Sequence, residues 1–135
     1  MDTDAAGIYH NTVVTRFVEA AEADLMRRHG ITGYFPVAPR VRYEVDFDQP
    51  LWFEQVVTTV VELENIGRSS ITFAFEVWGH AFRGRSRARA ASGRYTCVHV
   101  QGMHEDGTPH SVPWPRQWVE ALRTPVPGPP GITDG

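Results

Sequence analysis

The chain contains no lysine: all 13 basic residues among its 135 are arginine. Ala, Val, Gly and Pro are abundant too, so this reads as coding bias; a surface selected for phosphate would mix both cations. Sixteen acidic residues leave a formal net charge of -3, and no whole-molecule field favours nucleic acid. A single cysteine, Cys97, excludes an internal disulfide and suits a reducing compartment, with the cytoplasm as the expected location. Unbroken apolar runs are only a few residues long, which excludes a membrane-spanning helix. Residues 1–12 carry two Asp and no Lys or Arg, so no signal-peptide n-region is visible. There is no Gly-rich phosphate loop and no G-x-S-x-G elbow.

What is present is an ordinary globular balance, 41% hydrophobic and 21% charged, in a chain of single-domain length. Val13, Val14, Phe17, Val18, Ala21 and Leu25 recur at steps of three and four, which predicts a helix over Val13–His29 with one buried face. Thr12 is its expected N-cap and Gly30 its expected stop. After Pro39 the periodicity changes to two. Strands are expected over Val41–Phe47, Gln55–Leu63, Ser70–Trp78 and Arg85–Val100, with Asp106-Gly107 as a hairpin-type turn. A short helix over Pro113–Leu122 carries Trp114, Trp118 and Leu122. The domain then covers residues 1–123, and the Pro/Gly-rich tail, 124–135, is expected to be disordered or extended. One helix followed by antiparallel strands is an α+β pattern. A single helix covers only part of a broad sheet, so a second copy is expected against the remaining apolar surface.

The stretch that carries chemistry is Asp2-Thr3-Asp4-Ala5-Ala6-Gly7, a few residues before the helix. A helix start offers unpaired N–H groups and a partial positive charge. Such an end can hold a polarised carbonyl oxygen while a nearby carboxylate attacks the carbonyl or deprotonates water. Gly7 lets the backbone approach a ligand closely. On the residues alone, Asp2 and Asp4 read first as turn formers and as favourable charges near a helix start.

The segment D-T-D-A-A-G-I-Y-H-N, followed on the helix by F-V-E-A-A-E, resembles the opening of the 4-hydroxybenzoyl-CoA thioesterase family. The resemblance continues through R-V-R-Y-E-V-D-F-D-Q-P-L-W-F-E, I-G-R-S-S-I-T-F-A-F-E-V, G-R-Y-T-C-V-H-V and V-P-W-P-R-Q-W-V-E-A-L-R, so it covers about residues 2–123. It implies a hotdog fold, one long helix wrapped by an antiparallel sheet, in a homodimer or homotetramer with active sites at the subunit interface. It implies a hydrolase of acyl-CoA or acyl-carrier-protein thioesters, with no cofactor. Asp4 falls on the family's catalytic carboxylate and Asn11 on the position that polarises the thioester carbonyl. Some relatives carry His or Tyr at that place, whereas here Tyr9 and His10 precede it, which keeps His10 as an auxiliary. Glu19 matches a structural or interfacial Glu, and Glu19 and Glu22 are reserve carboxylates. The family has a strand ahead of the D-x-D motif, and with only Met1 before Asp2 a start further upstream is expected. Two other readings stay open: a non-catalytic subunit that binds acyl thioesters, and a hydratase or dehydratase of the same fold.

Outside that motif, Arg83, Arg85, Arg87 and Arg89 alternate with Gly84, Ser86 and Ala88. On a strand they share one face and could grip substrate phosphates, or simply be solvated. His99, His104 and His110 have no metal-ligand spacing, so no metal is expected. Cys97 reads as a buried small residue, and the four tryptophans as core and interface anchors.

Overall fold

The computed structural model describes residues 13–52, 54–125 and, for the backbone alone, 132–134. Helix α1 spans Val13–Arg28 and buries Val13, Val14, Val18, Ala21, Glu22, Leu25 and Met26, one stripe at helical spacing. Its end is a Schellman motif. Gly30, at φ 70, donates its N–H to Arg27 O, and Ile31 donates to Met26 O at 2.9 Å. Ile31 and Met26 are both buried, supplying the apolar contact that accompanies this cap.

A 3-10 turn at Phe35–Val37 leads into β1 (Arg40–Phe47), followed by β2 (Val57–Ile66), β3 (Ser70–Gly79) and β4 (Ala88–Val98). Strands β5 (Val100–Met103) and β6 (Pro109–Ser111) form the hairpin whose turn holds Asp106 and Gly107. Helix α2 covers Arg116–Arg123. The sheet is antiparallel in the order β1-β4-β3-β2, and α1 packs on β2 and β3. In β3 the alternation is complete: Ile71, Phe73, Phe75 and Val77 are buried while Thr72, Ala74, Glu76 and Trp78 lie on the opposite face. Tyr95 on β4 packs against Phe73 with ring centroids 5.3 Å apart.

One expectation is corrected. The fourth strand begins at Ala88, not Arg85, because Arg83 and Gly84, with φ 47 and 80, make a two-residue turn closed by the Phe82–Arg85 bridge. Within the Pro/Gly-rich tail, Ile132–Asp134 form β7, an extended segment that pairs with Thr58–Val60 on the far edge of β2. An open edge and a β-branched pair, Ile132-Thr133, favour that pairing. The C-terminal helix docks through aromatics. Trp114 stacks on Tyr34 at 5.9 Å and on His99 at 5.0 Å, and His29 Nδ1 lies 2.8 Å from Ala121 O.

Candidate functional site

Asp4, Gly7, His10 and Asn11, as well as Thr12, lie outside the described residues. What is described is the helix that follows them. Its first turn, from Val13, contains no acidic side chain, and Val13 and Val14 are both buried, so the helix start is seated in the fold.

The reserve carboxylates occupy different environments. Glu22, 1% exposed, accepts from Arg40 Nη2 at 2.6 Å and from the Tyr34 hydroxyl at 3.4 Å, with the Cys97 thiol 3.9 Å away. Arg40 reaches it because a bulge between Arg40 and Arg42 shifts the register of β1 by one residue and sets Arg40 opposite Cys97 on the helix-facing side. There its guanidinium also lies 4.6 Å above the Tyr95 ring. Burial holds the Glu22 carboxyl above its ordinary value, against the opposing pull of Arg40. Buried in the core, Glu22 ties α1 to β1. Glu19 is half exposed and hydrogen-bonds Arg40 Nη1 at 3.3 Å, as a structural residue would. Cys97 is buried, and burial together with the Glu22 charge pushes its thiol up to about 11.

The arginine-rich segment is organised by aromatics. Arg83 lies over Phe82 at 4.9 Å, Arg85 over Trp52 at 4.4 Å and Arg87 over Trp78 at 4.2 Å. Arg89 is different in kind, paired with Glu76 at 3.0 Å and Asp48 at 3.2 Å. The expected single face therefore does not form. A Cβ placed on Gly79 would meet Gln55 Nε2 and, at 3.1 Å, Leu51 Cδ2. The segment carrying Leu51, Trp52 and Gln55 thus covers the helix-facing side, while Trp78, the neighbour of Gly79, faces out. Arg85 and Arg87 follow Trp52 and Trp78 to opposite sides of the sheet end. Between the two segments lies a pocket of about 210 Å3 bounded by Trp52, Arg85, Ser86 and Gln55 over Leu51 and Ala90. Gln55 is 8% exposed, accepts from Trp52 N–H at 3.0 Å and donates to His80 O at 2.8 Å, which fixes the position of Trp52.

Sequence reasoning found the arginines but missed their partners. The signal available was a tryptophan on each of two segments flanking the Arg-Gly turn. The Arg40–Glu22 pair was missed because strict alternation sets Arg40 on the wet face, and only the bulge brings it inside. Among the described residues no group of three His, Cys, Asp or Glu side chains could hold a metal ion, and no helix is long and apolar enough to cross a membrane.

The sequence profile of the thioesterase superfamily matches residues 6–81. Among solved structures, a thioesterase from Thermus thermophilus, determined with coenzyme A and zinc, is 25% identical with a TM-score of 0.72, covering 90% of this chain and 84% of that one. A predicted thioesterase from Bacillus stearothermophilus is 26% identical with a TM-score of 0.66, covering 94% and 91%. The 4-hydroxybenzoyl CoA thioesterase from Pseudomonas sp. strain CBS-3 is 17% identical and shares the fold, with a TM-score of 0.77 over 89% and 90% of the two chains. No curated protein matches the chain with significance. The architecture, one long helix on an antiparallel sheet with a short second helix, is the hotdog fold, as the resemblance implied.

Proposed function

The chain belongs to the thioesterase superfamily, and from that premise we propose that it hydrolyses an acyl-CoA or acyl-carrier-protein thioester to the free acid and thiol. The observation that carries the proposal is the superfamily profile running from residue 6 through α1 and past the end of β3. Two relatives at a quarter identity, both thioesterases by description, support it. In this reading Asp4 activates water or attacks the carbonyl carbon directly. Asn11, Gly7 and His10 line the approach to the start of α1, whose free N–H groups stabilise the oxyanion. In the water route, the hydroxide adds to the carbonyl, the tetrahedral intermediate expels the thiolate, and the proton taken up by Asp4 returns to the sulfur. Arg83 and Arg85 serve the phosphates of the thiol carrier, whereas Arg87, over Trp78, lies on the other side of the sheet end.

A homodimer or homotetramer fits an edge that carries no partner strand among the described residues. Strand β1 ends the sheet, and on it Val41 is 60% exposed and Phe47 45%. Tyr43 and Val45 beside them are only partly buried. A second copy covering this edge would remove both the free strand and the apolar surface from water. The free, buried Cys97 suits a reducing cytoplasm.

The test is thiol release from short and long aliphatic and aromatic acyl-CoAs. Asp4→Asn should lower turnover at least about a hundredfold with folding intact, the usual scale for a lost base or nucleophile. Near-wild-type turnover in that variant would remove Asp4 from the mechanism. Binding of a non-hydrolysable acyl-CoA with no thiol release would make the chain an acyl-thioester-binding subunit instead.

A further inference from the structure

We propose that His104 and His110, brought together across the β5–β6 hairpin, form a two-imidazole site for a divalent transition-metal ion of the zinc or nickel type, and that the ion staples the hairpin. The site stands apart from thioester chemistry and does not rest on that reading.

Six residues separate the two histidines along the chain, and that spacing alone names no ligand pair. The hairpin changes this. His104 N–H donates to Thr108 O at 2.6 Å and Gly107 N–H to His104 O at 3.0 Å, which folds β6 back on β5. The two imidazoles end with ring centroids 3.7 Å apart at an interplanar angle of 45°. Two nitrogens on one tetrahedral ion, each at roughly 2.1 Å from it, stand about 3.4 Å from each other, so rings this close fall within the reach of a single ion. Gly102, at φ 70, faces the His110 ring, and a Cβ added there would lie 3.9 Å from His110 Cδ2. With no side chain at that position, an ion and its waters have room beside the pair.

Three other histidines show what an imidazole does here when its task is structural. His29 Nδ1 meets Ala121 O at 2.8 Å, His99 Nδ1 meets Pro113 O at 2.8 Å, and His80 Nε2 meets Thr58 Oγ1 at 2.5 Å. The rings of His104 and His110 make no hydrogen bond or ion pair among the described residues, and both side chains are exposed. Their nitrogens are therefore available. Residues 100–111 contain Glu105 and Asp106 but no Lys or Arg, so the local charge favours a cation. Asp106 is already engaged, accepting from Thr108 N–H at 3.0 Å and from Thr108 Oγ1 at 2.7 Å. It fixes the turn and leaves ligation to the imidazoles. Neutral imidazole suits zinc, nickel and copper, whereas magnesium and calcium take oxygen ligands. Two protein ligands leave the remaining positions to water, so the ion is exchangeable.

Zinc, nickel and magnesium chlorides are the probes, titrated calorimetrically into the full chain at about pH 7.5, where a free imidazole is neutral. Zinc and nickel should each bind saturably at one ion per chain, and magnesium should not. His104→Gln and His110→Gln should each weaken binding at least about tenfold, since even an outer-shell change costs that much. His80→Gln, which removes an imidazole elsewhere, should leave binding unchanged. Zinc should also slow hydrogen exchange at the His104 and Gly107 amides in the parent chain and in neither hairpin variant. Absence of saturable binding, magnesium binding as tightly as zinc, or undiminished affinity in either hairpin variant would overturn the proposal. So would an equal loss in His80→Gln, or hairpin amides that exchange at the same rate with zinc bound.

Discussion

Arg40 Nη2 stands 2.6 Å from Glu22 Oε1, joining the first residue of β1 to the buried stripe of α1. The two partners are not equally exposed: Glu22 keeps 1% of its side-chain surface and Arg40 keeps 22%. Removing the cation therefore strands a carboxylate in the core, while removing the anion leaves a guanidinium that water can still reach. Arg40→Met should cost about 3–5 kcal/mol at pH 7, the scale of a buried pair broken on one side, measured by urea unfolding. A loss under 1 kcal/mol would show that the pair holds nothing.

The pH dependence runs the other way from that of most carboxylates. Burial raises the folded-state value of Glu22 above its unfolded one. Above the unfolded value, about 4.3, and up to the folded one, the native state binds more protons than the unfolded state, so stability falls as pH rises. Glu22→Gln keeps the neutral form at every pH and should lose that slope, staying within about 1 kcal/mol of wild type at pH 7 and gaining on it from pH 4 upward. Parallel pH profiles for the two proteins would show that Glu22 is not perturbed.

Strain at Glu54 makes a third case. Gln55 N–H bonds Trp52 O at 3.0 Å across a turn in which Glu54 holds φ 70, a position that favours glycine. Glu54→Gly relieves the clash of the β-carbon but adds freedom to the unfolded chain, and the first effect is the larger. The melting temperature should rise, with a gain of up to about 1 kcal/mol. A fall would mean that the Glu54 side chain makes a stabilising contact.

How much of this was legible follows from periodicity. The alternation of Ile71, Phe73, Phe75 and Val77 reads directly because one face of β3 is buried and the other is not. The stripe from Val14 to Leu25 reads for the same reason at helical spacing, and Gly30 marks its end. Periodicity fails where a single residue breaks it. The bulge after Arg40 reverses the face on which that residue points, and the Arg83-Gly84 turn ends an alternation that in sequence runs unbroken to Arg89. The Asp4 motif was legible only through resemblance. The role proposed for it requires particular atoms to meet near the start of α1, which spacing along the chain does not encode.

Gly93 shows how tightly β1 and β4 approach. A Cβ there would overlap the carbonyl oxygen of Glu44 and sit 2.9 Å from Phe75 Cζ, and neither a paired strand nor a packed ring can yield. Gly93→Ala should destabilise the fold by about 2–3 kcal/mol, the usual scale of overpacking, and should loosen β1 before the rest of the sheet. Hydrogen exchange read strand by strand would reveal this; uniform protection at normal stability would mean that β1 shifts without cost.

Cys97 is the one thiol, and its surroundings should make it inert. It is 1% exposed, and burial with the nearby Glu22 charge moves it up to about 11, so almost none of it is thiolate at pH 8. A thiol reagent needs both access and the anion, and the native state provides neither. Labelling should therefore proceed only through opening of the β3–β4 region, at a rate that tracks stability when urea is added. The same shift has a sign in the stability curve. The unfolded thiol ionises near 8.5 and the folded one near 11, so the native state loses ground as pH rises between them, a loss that Cys97→Ala would abolish. Rapid labelling at pH 8 without urea would place the thiol at the surface, and with it would go the account of Glu22, Tyr34 and Arg40 as a sealed cluster.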